Sequence, residues 1–188
     1  MKKAAFSAII IGILITVISV TSCSKSNSTP VVTQPTLYDS LGGTTMVADP
    51  ANPGAKIESG YLLIRNIIDS TIFVIAADSK INSYFTVLLA EVTSGNLSGY
   101  MALSKNLSDF VAVGTGAKDF TYSGKTMTAA HDPAQNSRIS MKVDTDDFTQ
   151  FEVDLFAGAA KAGVPSSTPA LISVGRIVES LRGVVVQR

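Results

Sequence analysis

Tyr122-Ser123-Gly124-Lys125-Thr126-Met127-Thr128-Ala129-Ala130-His131 contains the single histidine of the chain, and its reading decides the fold. Ser123-Gly124-Lys125-Thr126 has the form of a phosphate-binding loop. That motif also needs a glycine five residues before Gly124, where this chain has Asp119, and a carboxylate there repels phosphate. Met127 to His131 spans one helical turn, so its two end side chains can share a face. A lone histidine is ordinarily a surface or hydrogen-bonded residue. As a metal donor it is one ligand, and one imidazole with one thiol, Cys23, does not build a four-ligand zinc site. Any metal chemistry in this chain therefore rests on a cofactor that brings most of its own ligands.

On both sides of this stretch the apolar spacing is mainly helical. Ile64, Ile67, Ile68, Ile72 and Ile75 recur at three and four residues, as do Leu103, Leu107, Phe110 and Val111. Phe148, Phe151, Leu155 and Ala159 make a third stripe, and Leu171, Val174, Val178, Leu181 and Val185 a fourth. The acidic run Asp144, Asp146, Asp147 lacks the spacing and glycine of a calcium loop and suits a helix N-terminus. Gly163 reads as a helix stop, with Ser166 or Ser167 as the next cap. Thr71 to Val92 is rich in β-branched and aromatic residues, which favour strands. The stripe from Ile64 predicts helix up to Ala77, and 86–92 stays open. Thr44 to Ser59, Thr93 to Gly99 and Asp132 to Val143 read as loops. Four long helices are expected, and no serine-hydrolase elbow or internal repeat is present.

The chain of 188 residues is 46% apolar, enough for one globular core without disulfides. Its 15 basic and 15 acidic side chains balance, which argues against a nucleic-acid partner. Residues 1–22 begin with Lys2 and Lys3, run apolar from Ala4 to Val20 and reach Thr21-Ser22-Cys23. This pattern is a secretory signal whose small residues before Cys23 resemble a bacterial lipobox, which implies diacylation of Cys23 and a membrane partner through the lipid. An uncleaved membrane helix is the alternative. Residues 23–36 are rich in Ser, Thr and Pro and read as a tether.

A porphyrin supplies four nitrogens to iron and one proximal imidazole supplies the fifth, so a lone histidine suffices for haem. Four blocks are similar to the bacterial truncated haemoglobins, most closely their first group: Leu37 to Gly43; Ala77-Asp78 with Ile81 and Tyr84-Phe85; Tyr122 to Met127 with Ala130-His131; and Phe148 through Leu155 to Pro165. The resemblance implies an all-α, two-over-two helical sandwich over 37–188 around haem b, with inserted loops. It places His131 on the proximal iron ligand and Tyr122 and Met127 in the proximal block. Phe85 falls on the aromatic packed against the porphyrin, Phe110 on the distal-helix aromatic, and Leu103 and Leu107 on the distal wall. Lys105 or Lys125 is either a partner for a haem propionate or a solvated lysine.

The family's distal tyrosine and glutamine correspond here to Ile72 and Leu107, so the resemblance implies a distal side without polarity. The implied function is binding of a diatomic gas, oxygen, nitric oxide or carbon monoxide, outside the inner membrane. The apolar wall favours nitric oxide handling or electron transfer with a redox partner. A haem-free scaffold acting as a binding module is the rival. An enzyme such as a nitric oxide dioxygenase or peroxidase would need a reductase or a distal acid/base, and neither is visible.

Overall fold

The computed structural model describes residues 34–188. The expected signal segment, Cys23 and most of the tether lie outside these residues. The domain is mainly α: α1 (Leu37–Ser40), a hairpin of β1 (Met46–Ala48) and β2 (Lys56–Glu58), then α2 (Ser59–Ala77), a 3-10 turn (Asn82–Phe85), α3 (Thr86–Thr93), α4 (Ser98–Thr115), α5 (Met127–Ala130), α6 (Thr145–Lys161), α7 (Pro169–Glu179) and α8 (Arg182–Val185).

Thr36, read above as tether, opens α1 through a capping box. Its Oγ1 accepts from Asp39 N at 3.1 Å and its own N–H donates to Asp39 Oδ2 at 2.7 Å. Gly42 and Gly43 follow with φ of 121° and 60°, a left-handed turn that side chains resist. The chain then forms the hairpin inside the segment expected to be loop, with Val47 opposite Ile57. Its tip is tied down by Asp49, which accepts from Asn52 Nδ2 at 2.6 Å and pairs with Arg65 of α2 at 2.8 Å.

The central helix is α2, which packs against α6 on one side and α4 on the other, while α7 meets both α4 and α6. Its isoleucines are β-branched, yet Ile64, Ile67, Ile68, Ile72 and Ile75 are all buried. Each contributes roughly 1.5–3 kcal/mol by burial, far more than the few tenths that helix propensity costs. Helix therefore wins over strand, and it ends at Ala77 as the stripe predicts. Thr71 Oγ1 donates to Ile67 O at 2.8 Å, which satisfies the buried hydroxyl at the crossing with α6.

Residues 86–92, left open by the sequence, form α3, which also takes in Thr93 from the segment expected to be loop. Asp144 and Asp147 make a capping box at α6, with Asp147 N donating to Asp144 Oδ1 at 2.9 Å and Asp144 N to Asp147 Oδ2 at 3.0 Å. Gly163 turns the chain at φ 84°. The next helix is capped by neither Ser166 nor Ser167: Thr168 is its N-cap, and Pro169 starts α7 because proline at the first helical position loses no hydrogen bond. The fourth expected helix breaks after Glu179 and resumes as α8.

The end of α2 meets α6 through two carboxyls. Asp154 is 3% exposed, and Gln150 Nε2 donates to its Oδ1 at 3.3 Å. Asp154 Oδ2 and Asp78 Oδ2 have no hydrogen-bond partner among the described residues. Burial pushes the Asp154 carboxyl above its ordinary range, and the neighbouring Asp78 charge adds to this against Gln150 and Lys80. A group whose pKa is raised on folding contributes stability that is present below its unfolded pKa, near 4, and is lost as pH rises through the folded value. Asp154→Asn removes the titration, so thermal unfolding should show a smaller loss of stability than in the parent as pH rises above about 4.

Candidate functional site

One cavity of about 350 Å³ runs between α2, α4, α6, α7 and the α5 segment. That is inside the ~300–1,000 Å³ range of small-molecule and cofactor sites. Its α2 wall is the isoleucine stripe. The 3-10 turn contributes Tyr84 and Phe85, α4 contributes Leu103, Leu107 and Phe110, and α6 contributes Phe148, Phe151 and Leu155. Facing α4 across the space are Tyr122, Lys125, Met127, Ala130 and His131. Nine residues singled out from sequence, Ile72, Phe85, Leu103, Leu107, Phe110, Tyr122, Lys125, Met127 and His131, thus share one cavity.

Lys105 does not join them. It sits on the other face of α4, 67% exposed, with Nζ on Asp109 Oδ2 at 2.5 Å. Asp109 is buried between α4 and α2 and accepts from Tyr61 Oη at 2.7 Å. The amphipathic register of α4 decides this: the Leu103, Leu107, Phe110 stripe faces the cavity, and the Ser104, Ser108, Asp109 stripe faces α2.

The histidine is positioned by a compact local structure. The Tyr122 ring folds back over Gly124, where a Cβ would stand 2.5 Å from Tyr122 Oη, and that hydroxyl donates to Lys125 O at 2.5 Å. This contact gives the Tyr-x-Gly spacing a physical reason. The same ring meets Phe110 edge-on at 5.3 Å, which joins the segment to α4. Thr126 caps α5 by accepting from Ala129 N at 3.3 Å, and Asn136 Nδ2 donates to Ala130 O at 2.7 Å.

His131 follows as the C-cap of α5, half-buried, with Nδ1 2.8 Å from Met127 O. A carbonyl only accepts, so Nδ1 carries the proton and donates. The neutral ring then keeps its other nitrogen, Nε2, as a free lone pair. Burial lowers the His131 pKa below the ordinary imidazole value, partly offset by the Met127 bond. Such a ring is a ready metal ligand whose orientation and basicity are set by its second hydrogen bond. No group of three or more His, Cys, Asp or Glu side chains able to hold a bare metal ion exists among the described residues.

The wall opposite carries more polarity than the sequence suggests. Asn106 lines the cavity between Leu103 and Leu107 and brings an amide to the α4 face, whose other polar side chain, Thr115, is turned to the backbone oxygens of Val111 and Ala112. Its spacing, three after Leu103 and four before Phe110, puts it on the same stripe, and that periodicity alone would have found it. Asn136 and Arg138 also line the cavity, from a segment with no regular spacing to signal them. Tyr84 and Asp147 lie at its α6 end. Tyr84 Oη donates to Asp147 Oδ2, burial pushes its phenol up to about 12, and Arg188 holds both groups.

These features define a mainly-α domain with an apolar cavity lined by an oriented, neutral imidazole. No protein-family model matches the chain, and no curated protein is significantly similar to it.

Proposed function

We propose that this chain is a haem-binding protein of the truncated-haemoglobin type, with a two-over-two sandwich of α2 and α4 against α6 and α7, attached to a bacterial membrane through a lipid on Cys23. The observation that carries this reading is the hydrogen bond from His131 Nδ1 to Met127 O, on the wall of an apolar cavity. It leaves Nε2 free to ligate an iron whose other in-plane ligands come from a porphyrin.

The residues present fit that group. His131 would hold the iron, Phe85 and Phe110 offer flat apolar contact to a macrocycle, and Lys125 and Arg138 place positive charge on the cavity lining. When bound, haem supplies reversible binding of a diatomic gas. The chain orients the proximal imidazole through Met127, excludes water with its isoleucine wall, and offers Asn106 as a neutral donor on the α4 side. One amide among aliphatic side chains suits a weakly polarised gas better than a distal tyrosine pair would, which favours nitric oxide or transient oxygen binding over oxygen storage.

The test is an absorption titration of the purified chain with ferric haem. The expected result is a Soret band that saturates at one haem per chain. A chain that leaves the spectrum of free haem unchanged, with no sharpened or shifted Soret band, is a haem-free scaffold, and the reading fails.

A further inference from the structure

Arg138 lines the cavity and pairs with Glu91 of α3 beside it. Arg138 Nε donates to Glu91 Oε1 at 3.3 Å and Oε2 at 3.2 Å, and Nη2 donates to Oε1 at 3.2 Å. The Arg138 side chain is 47% exposed and still lines the cavity, so it stands at the mouth, between solvent and the apolar interior. Leu88, one turn before Glu91 on α3, and Ile139, beside Arg138, line the space behind the pair. Beneath it is Gly99, the second residue of α4. A Cβ there would lie 2.0 Å from Glu91 Oε2 and 3.0 Å from Arg138 Nε, so α4 carries no side chain where the pair passes over it.

A half-exposed ion pair of this kind is held weakly, by about 1 kcal/mol or less. Arg138 is therefore a cation at the edge of an apolar cavity, neutralised by a partner it can exchange. We propose that Glu91 and Arg138 form an exchangeable gate, in which Arg138 leaves Glu91 for a carboxylate on an incoming apolar ligand. The cavity then selects molecules with a broad apolar body and a carboxylate at one edge. Guanidinium is suited to the exchange, because its planar fork donates to either carboxylate in the same geometry. Haem, with its propionates, is such a molecule. The identity of the ligand rests on the haem reading, whereas the exchange rests on the pair alone.

The probes are metal-free protoporphyrin IX and its dimethyl ester, titrated by fluorescence into the full chain in lipid nanodiscs, with empty nanodiscs as blank. Neither probe offers iron to His131. The diacid should bind roughly tenfold or more tightly than the ester, the value of a charge-assisted hydrogen bond. Arg138→Gln should erase that preference. Glu91→Gln should tighten diacid binding roughly two- to fivefold and leave the ester unchanged, because the competing carboxylate is gone. The double exchange Glu91→Arg with Arg138→Glu rebuilds the ion pair but turns the cavity-lining charge negative, so the preference should stay lost.

Equal binding of acid and ester by the parent chain, or a preference that survives Arg138→Gln, overturns the gate. So does a double exchange that regains the parent's preference, since a purely structural clasp would behave that way. Failure of every variant to bind either porphyrin overturns both the gate and the haem reading. Normal diacid preference together with haem binding that ignores the loss of His131 overturns the haem reading alone.

Discussion

If the proposed haem reading holds, His131→Gly should lose more haem affinity than the roughly 10–100-fold that removal of an outer-shell partner costs, because in that reading it removes the iron ligand itself. The substitution deletes a half-buried ring at the C-cap of α5 and opens a hole beside the cavity. Added imidazole, which has the same ring without the tether, should enter that hole and restore the Soret spectrum of the parent. The free ring lacks the enforced bond to Met127 O, so the restored complex should be weaker and more sensitive to pH. A variant that binds haem with an unaltered spectrum before imidazole is added would mean that some other atom ligates the iron. Circular dichroism should show the helical content unchanged, since α5 is a single turn capped by Thr126 rather than by the imidazole.

Gly158→Ala should be strongly destabilising, because its Cβ would meet backbone as well as side-chain atoms. Gly158 lies on α6 where it crosses α2, and a Cβ there would stand 2.3 Å from Thr71 Oγ1 and 2.6 Å from both Thr71 N and Cα. Two of those atoms are backbone, so no rotamer change relieves the contact and the helices must separate. Overpacking costs about 1–3 kcal/mol, occasionally more. With the central pair of helices forced apart, a loss of at least about 3 kcal/mol is expected, a fall in Tm of roughly 10 °C for a domain of this size. Thr71→Ser should not rescue it, because the backbone contact remains. Gly114→Ala on α4 is the control: the nearest atom to its Cβ would be Ile177 Cγ2 at 3.8 Å, so the change should stabilise by about 0.5–1 kcal/mol through helix propensity. Thermal melts of the two variants should move in opposite directions.

The contrast between these glycines separates what periodicity reveals from what it hides. Ile64 to Ile75 shows its helix and its buried face in sequence because burial rewards a repeat of three and four residues wherever the partner comes from. Asp144 and Asp147 show the start of α6 for a similar local reason, since the reciprocal cap closes within one turn. Met127 and His131 are legible as one face, and the bond between them is an i to i+4 contact that needs no distant residue. The hairpin at 46–58 was hidden because Gly, Pro, Asn and Asp dominate its tip at 49–54, and its strands are only three residues each. Thr168, rather than a serine, begins α7 because Pro169 already supplies the required φ without a side-chain cap.

The candidate site divides along the same line. Its members on helices, Ile72, Leu103, Leu107 and Phe110, were visible as stripes, and Asn106 was visible in principle on the α4 stripe. Lys105 shows the limit of the method: one position along α4 separates a cavity face from a face turned to Tyr61 and Asp109. Arg138 and Glu91 are 47 residues apart, and nothing in either neighbourhood announces that they meet. Local chemistry thus specifies helices, caps and the one imidazole, because each depends on interactions within a turn or two of chain. The closeness of α2 to α6 at Gly158, the cavity the helices leave between them and the ion pair at its mouth depend on side chains brought together from distant segments. Those were decided by packing, since only the assembled core determines which atoms compete for the same space.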